Sequence, residues 1–195
     1  MKKSLLAACA MSILFCSGAM AADVTASATA SWDASATKDT TSLLVVTPLR
    51  SVSFEYAEGL KAFNSQDGAF DITIQGQENA SDFVLTSQLV TNTLTRATDN
   101  STLEIGVAWN GEKLSKSTPV KMMDISNNIT AGLEALIAGY ADKDNRTSTQ
   151  SAFLFTVDSA TSNGTTATPF ASLADGYWSG DVKVQFTAEW TLSQS

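Results

Sequence analysis

The sequence predicts an all-β domain, an immunoglobulin-like β-sandwich with one short helix. Three observations carry that prediction. Short runs of alternating apolar and polar residues recur along nearly the whole chain, clusters of Thr, Ser, Asn and Gly separate them, and a single segment has helical spacing instead. Seven or more short strands at such spacing are the pattern of a sandwich.

The first segment is not part of that domain. Lys2 and Lys3 form a basic start, Leu5 to Phe15 is an almost unbroken apolar run, and Ala19-Met20-Ala21 places small residues where a signal peptidase reads them. Residues 1–21 are therefore expected to be a secretory signal peptide, cut between Ala21 and Ala22, with an apolar run too short to remain as a membrane span. Lipoprotein processing fits poorly: Cys9 has too few residues before it for a hydrophobic region, and Cys16 follows the bulky Phe15. Both cysteines leave with the signal, so the exported domain is expected to carry no disulfide and no soft metal ligand. The 195-residue chain is one domain by length and long enough for a core without such staples.

Charge and composition narrow the function. The chain carries a net charge of −8 and no histidine. An acidic surface disfavours nucleic acid and anionic lipid as partners. Lack of imidazole excludes a Ser-His nucleophile and a His-ligated zinc. The expectation is a protein that is not an enzyme and uses no cofactor and no metal.

The elements follow in order. From Val24 to Thr37 alternation is perfect, with Val24, Ala26, Ala28, Ala30, Trp32, Ala34 and Ala36 on one face. Leu43–Thr47 and Val52–Tyr56 flank Pro48 as candidate strands, and Phe70–Ile74 alternates before the Gly76 turn. Phe83 opens a run that reaches Leu94; Leu103, Ile105, Val107 and Trp109 alternate into Asn110-Gly111, a strong hairpin signal. Val120–Met123 and Phe153–Val157 are further strands. Leu133, Leu136, Ile137 and Tyr140 fall at helical spacing between Gly132 and Gly139, which predicts the short helix. The last run alternates with Val182, Val184, Phe186, Ala188, Trp190 and Leu192 on one face.

Both ends of the chain are unusual for a closed domain. The fourteen residues 24–37 would span roughly 46 Å as a strand. A compact domain of this length is only about 40 Å across, and typical strands hold about five or six residues. At the other end, the 182–192 strand comes last; if it lies inside a sandwich, its outer neighbour must come from elsewhere. Together the ends suggest β-strand addition, in which an extended segment of one copy completes the sheet of the next. Each methyl of the alanine face is worth roughly 0.8 kcal/mol when buried, and each ladder hydrogen bond about 0.5–1.5 kcal/mol. The competing reading folds the long strand onto its own sheet. The chain would then be a self-contained secreted carbohydrate-binding β-sandwich module.

A resemblance bears on that choice. Ala22-Asp23-Val24-Thr25-Ala26, Lys38-Asp39-Thr40-Thr41-Ser42, Leu44-Val45-Val46-Thr47-Pro48-Leu49, Tyr56-Ala57-Glu58-Gly59, Thr91-Asn92-Thr93-Leu94-Thr95 and Trp178-Ser179-Gly180-Asp181-Val182 are among the matching blocks. With these, the chain resembles the major fimbrillins (pilins) of the common pilus, or Mat fimbria, in the alpha class of chaperone–usher pili. The resemblance implies an incomplete immunoglobulin-like β-sandwich completed by donor-strand exchange. It implies a homopolymer of identical pilin subunits with a periplasmic chaperone, an outer-membrane usher and a tip adhesin as partners. The chain would be exported through the periplasm to a fimbrium at the cell surface, with roles in adhesion to host or abiotic surfaces and in biofilm formation. Residues 22–31 would be the N-terminal donor strand, with Val24, Ala26, Ala28 and Ala30 as donor residues, and residues 32–195 the pilin domain. Val182, Val184, Phe186, Ala188 and Trp190 would flank the acceptor groove and pair with the chaperone.

Other signals are weaker. Asp142-Lys143-Asp144-Asn145-Arg146 hints at a calcium loop, but the next ligand position holds Arg146 and no glycine follows. Trp109, Trp178 and Trp190 could stack a sugar, though aromatics at strand spacing are usually core.

Overall fold

The computed structural model describes Lys38 and residues 43–193. The expected signal cleavage site at Ala21 and Ala22 lies outside the described residues, as do Val24, Ala26, Ala28 and Ala30.

The described chain forms twelve strands. They are β1 (Leu44–Pro48), β2 (Tyr56–Ala57), β3 (Ala62–Phe63), β4 (Gln66–Gln75), β5 (Ala80–Thr91), β6 (Thr93–Thr95), β7 (Thr102–Trp109), β8 (Glu112–Lys113), β9 (Val120–Asp124), β10 (Arg146–Ser162), β11 (Thr166–Ala167) and β12 (Lys183–Leu192). A large sheet runs β1-β4-β10-β7-β6, with β11 paired to β10 and β8 to β7. A three-stranded sheet runs β12-β5-β9, and β2 and β3 form a separate hairpin. Every pair is antiparallel. This is the immunoglobulin-like sandwich that the strand spacing predicts.

Alternation explains how the sheets close on each other. Phe70, Ile72 and Ile74 of β4 and Leu103, Ile105, Val107 and Trp109 of β7 are buried, while the residues between them are only half-buried. Phe83 and Leu85 of β5 face them from the small sheet and are fully buried. Each such side chain contributes roughly 1.5–3 kcal/mol by leaving water. The Asn110-Gly111 pair has φ of 46° and 87°, the left-handed conformation of a two-residue hairpin, and Trp109 pairs with Glu112 across it. Asn79, Asn100, Asn128 and Asn163 also sit at positive φ. Asparagine tolerates that region better than other side chains, which explains its frequency between strands.

Four elements differ from expectation. The run from Phe83 to Leu94 is two strands in different sheets. Asn92 makes the crossing: its Nδ2 donates to Ile105 O at 2.7 Å and Ile105 N donates to Asn92 O at 2.8 Å. The short helix is a 3-10 turn, Glu134–Ala138, in which Leu133 and Leu136 are buried. Their three-residue spacing suits 3-10 geometry, and the left-handed Gly132 closes it at one end. A second 3-10 turn, Phe170–Ser172, had no sequence signal. Finally, only Tyr56 of the expected 52–56 strand lies in a strand, although Val52 and Phe54 alternate toward the core and Glu55 O accepts from Asn64 N.

Candidate functional site

The site follows from the edges of the sandwich. Phe186 of β12 lies 5.5 Å from Phe70 of β4 and 5.8 Å from Phe153 of β10, ring centre to ring centre. β12 therefore sits over the β1 side of the large sheet, while β1 itself lies farther out, beyond β4. Among the described residues, no strand bridges β1 and β12 on that side. Among the described residues β12 has one neighbour, β5.

Burial records the gap. The inward residues Val184, Phe186, Ala188 and Trp190 are only half-buried, and Val182 just before the strand is the same. Across the ladder they oppose Leu89, Ser87, Leu85 and Phe83, all of them buried. Leu44 and Val46 on β1 are also half-buried and pack on the core. Among the described residues, this apolar stripe is flanked by β5 on one side and by no strand on the other.

Both ends of β12 are held in place. Thr91 Oγ1 donates to Asp181 O at 3.0 Å where the strand begins. At its other end Trp190 Nε1 donates to Tyr140 O at 3.1 Å, Ser81 Oγ to Thr191 O at 3.1 Å, and Ser193 N to Asn79 O at 2.8 Å. Gly180 lets the chain enter closely, since a Cβ there would stand 2.7 Å from Thr93 O. Hydrogen bonds thus anchor β12 at both ends.

A cleft of about 320 Å³ lies beside the segment that leads into β12. Its walls are the chain after β1 (Val52, Phe54), the β2–β3 hairpin (Tyr56, Phe63) and the segment before β12 (Phe170, Trp178). Phe63 meets Tyr56, Phe170 and Trp178 edge-on at 5.5, 5.5 and 6.4 Å. Arg96 fixes one wall: its Nη1 donates to Ala174 O at 2.7 Å and Asp175 O at 2.6 Å, and its guanidinium lies 5.2 Å from the Trp178 ring centre. The hydrogen bond from Arg96 holds the Asp99 carboxyl well below the usual carboxylate range, helped by the Ser101 amide. Burial, with Glu58 nearby, pushes the Tyr56 phenol up. Sequence reasoning missed this cleft. Its aromatics come from two segments about a hundred residues apart, and nothing in either run marks them as neighbours.

The alternative sites are not assembled. Trp109 is buried between the sheets, Trp178 packs on Phe63 and Trp190 on Phe83; among the described residues no ring contact joins the three. The Asp142 carboxylate accepts from the amides of Asp144 and Asn145 and from Asn145 Nδ2 at 2.9–3.1 Å, which makes it a turn cap.

A family profile described as fimbrillin MatB matches residues 25–190. The chain belongs to the MatB fimbrillin family. It is 52% identical over 195 residues to the common pilus major fimbrillin subunit EcpA of Escherichia coli O139:H28 (strain E24377A / ETEC), covering 98% of this chain and all of that one. The EcpA subunit of Escherichia coli O1:K1 / APEC is 51% identical over the same length. Among solved structures, the CooA pilin subunit of enterotoxigenic Escherichia coli aligns over 76% of this chain and 90% of its own, with 15% identity and a TM-score of 0.44. The family is one of structural pilin subunits, not of enzymes.

Proposed function

We propose that this chain is the major structural subunit of a surface pilus and that it polymerises by donor-strand exchange. The observation that carries the mechanism is the long, regular edge of β12, unpaired among the described residues, with a half-buried apolar stripe beneath it. In this reading Val182, Val184, Phe186, Ala188 and Trp190 flank the acceptor groove. Residues 22–31 of a neighbouring copy supply the missing strand, with Val24, Ala26, Ala28 and Ala30 turned into the groove. Small side chains suit a stripe that is already partly covered, and the added ladder supplies most of the attraction through the backbone.

The same edge explains a need for export partners. Before assembly the exposed stripe would pair indiscriminately, so a periplasmic chaperone covers β12 until an outer-membrane usher replaces it with the next subunit's donor strand. Residues 1–21 direct export into the periplasm, cleavage between Ala21 and Ala22 frees the donor, residues 32–195 form the pilin domain, and a tip adhesin ends the fibre. Adhesion and biofilm formation are the roles of the finished fibre.

Size-exclusion chromatography with light scattering on residues 22–195, beside a chain beginning at Trp32, tests the proposal. The expected result is heat-resistant polymers from the first and none from the second. A stable monomer from the first, unaffected by added subunits, would mean that the strand folds back on its own sheet.

A further inference from the structure

We infer that Trp32 of the donating subunit docks in the aromatic cleft of its neighbour, as an anchor at the end of the donor strand; this rests on the strand exchange proposed above. The inference comes from direction and length. Every strand pair in the fold is antiparallel, and an added strand that keeps this geometry runs opposite to β12. It then enters beside Leu192 and leaves beside Val182, close in the chain to Tyr177 and Trp178, which line the cleft.

The lengths also match. Val24 and Trp32 are separated by as many residues as Val182 and Trp190, and both lie on the apolar face of their alternating runs. With Val24 opposite Trp190, the next inward positions take Ala26, Ala28 and Ala30, and Trp32 arrives opposite Val182, four residues after Trp178 of the cleft wall. An indole there would meet Phe54, Phe63 and Trp178, and it has the area to fill such a recess. The cleft also holds a polar atom without a partner among the described residues: Tyr56 Oη is buried and makes no hydrogen bond. It is able to accept a bond from an indole N–H.

The residue would act as a register mark. Four small inward side chains are nearly interchangeable under a shift of two residues, whereas one large ring fits only where a recess exists.

The test uses full-length exported chains, whose only cysteines lie in the signal segment. Copies carrying Trp32→Cys are mixed with copies carrying Ser53→Cys or Tyr177→Cys, on opposite walls of the cleft, and polymerised under oxidising conditions. A disulfide between copies in at least one mixture is expected. Polymers with no such link in either mixture would overturn the docking, as would a link that forms within single chains of the double variants. A second measurement does not depend on disulfide geometry. Trp32→Ala should speed strand dissociation from the fibre about 30-fold, equivalent to the ~2 kcal/mol of an interfacial hot spot, and Trp32→Phe should restore most of the loss. Equal dissociation of all three fibres would sink the idea. If the unmodified chain forms no polymer at all, the strand-exchange reading fails first and takes this inference with it.

Discussion

The two edge strands of the small sheet, β9 and β12, both pair with β5 and differ in nearly every feature that blunts an edge. β9 has five residues, four of them buried, and a bulge at Met122 that turns both Met122 and Met123 into the core. Beyond it Asp124 and Ile129 exchange backbone hydrogen bonds at 2.8 and 2.9 Å and close the strand in a turn. β12 has ten residues, pairs in unbroken register from Val184 to Thr191, and leaves its inward side chains half-covered. Short length and bulges are the devices by which folded proteins protect a sheet edge. Among the described residues, one sheet therefore carries a protected edge and an unprotected one, and the proposed strand exchange uses the second.

The largest effect should come from spoiling the strand proposed to fill the open edge. Ala28→Asp, on the expected donor face, should abolish polymerisation, because a carboxylate cannot be buried unpaired in an apolar groove. The folded subunit should be unchanged within about 0.5 kcal/mol. Light scattering and urea unfolding of the same preparations separate the two quantities, and normal fibres would remove Ala28 from the groove.

Cutting side chains on the two edges comes next. Met122→Ala should cost the unpolymerised subunit about 2–5 kcal/mol, as for any closed core position. Phe186→Ala should cost that subunit less than the ~3–5 kcal/mol of a fully buried phenylalanine, with a further loss appearing only in the fibre. Equal penalties for Phe186→Ala in free and assembled subunits would show that β12 is already complete on its own.

The contrast was only partly legible in the sequence. Alternation placed β7, its Asn110-Gly111 hairpin and β12 correctly, because residues with period two on a half-buried sheet leave an obvious mark. The edge status of β12 was inferred from its place near the chain's end and from the family resemblance. The bulge in β9 left no trace, since Val120-Lys121-Met122-Met123 could be an ordinary strand. β10 proved far longer than Phe153–Val157. Its flanks, Thr147-Ser148-Thr149-Gln150-Ser151 and Ser159 to Ser162, pair through the backbone and carry no apolar signal. Long-range placement, such as Phe54 beside Trp178 in the cleft, depends on contacts that local pattern cannot encode.

A smaller effect probes how firmly the open edge is held. Trp190→Phe keeps the ring against Phe83, 5.0 Å away, and removes only the bond to Tyr140 O. The subunit should lose about 0.5–1.5 kcal/mol, with fibres still forming. A loss of assembly would mean that this bond sets the position of β12 and is more than a local tie.

The smallest effect is confined to acid and belongs to the closed edge. Asp124 is almost wholly buried, and its carboxylate accepts from Lys121 Nζ, Asn127 N and Asn127 Nδ2. These bonds, that from Lys121 foremost, hold its pKa below the ordinary value against the opposing effect of burial. A carboxyl whose folded pKa is depressed contributes stability that is fully present above its unfolded pKa of about 3.9 and is lost as pH falls through the folded value. The native subunit should therefore be flat in stability above about pH 5 and weaken below about pH 4. Asp124→Asn removes this carboxyl's share, so its stability should fall less steeply in acid and the two curves should converge as pH drops. Asp99, Glu134 and Asp142 are also held low by hydrogen bonds and remain in the variant, so the acid slope is reduced without vanishing. Parallel curves down to low pH would mean that Asp124 acts as a neutral cap. The closure of β9 would then owe nothing to charge and everything to the bulge and the two methionines beneath it.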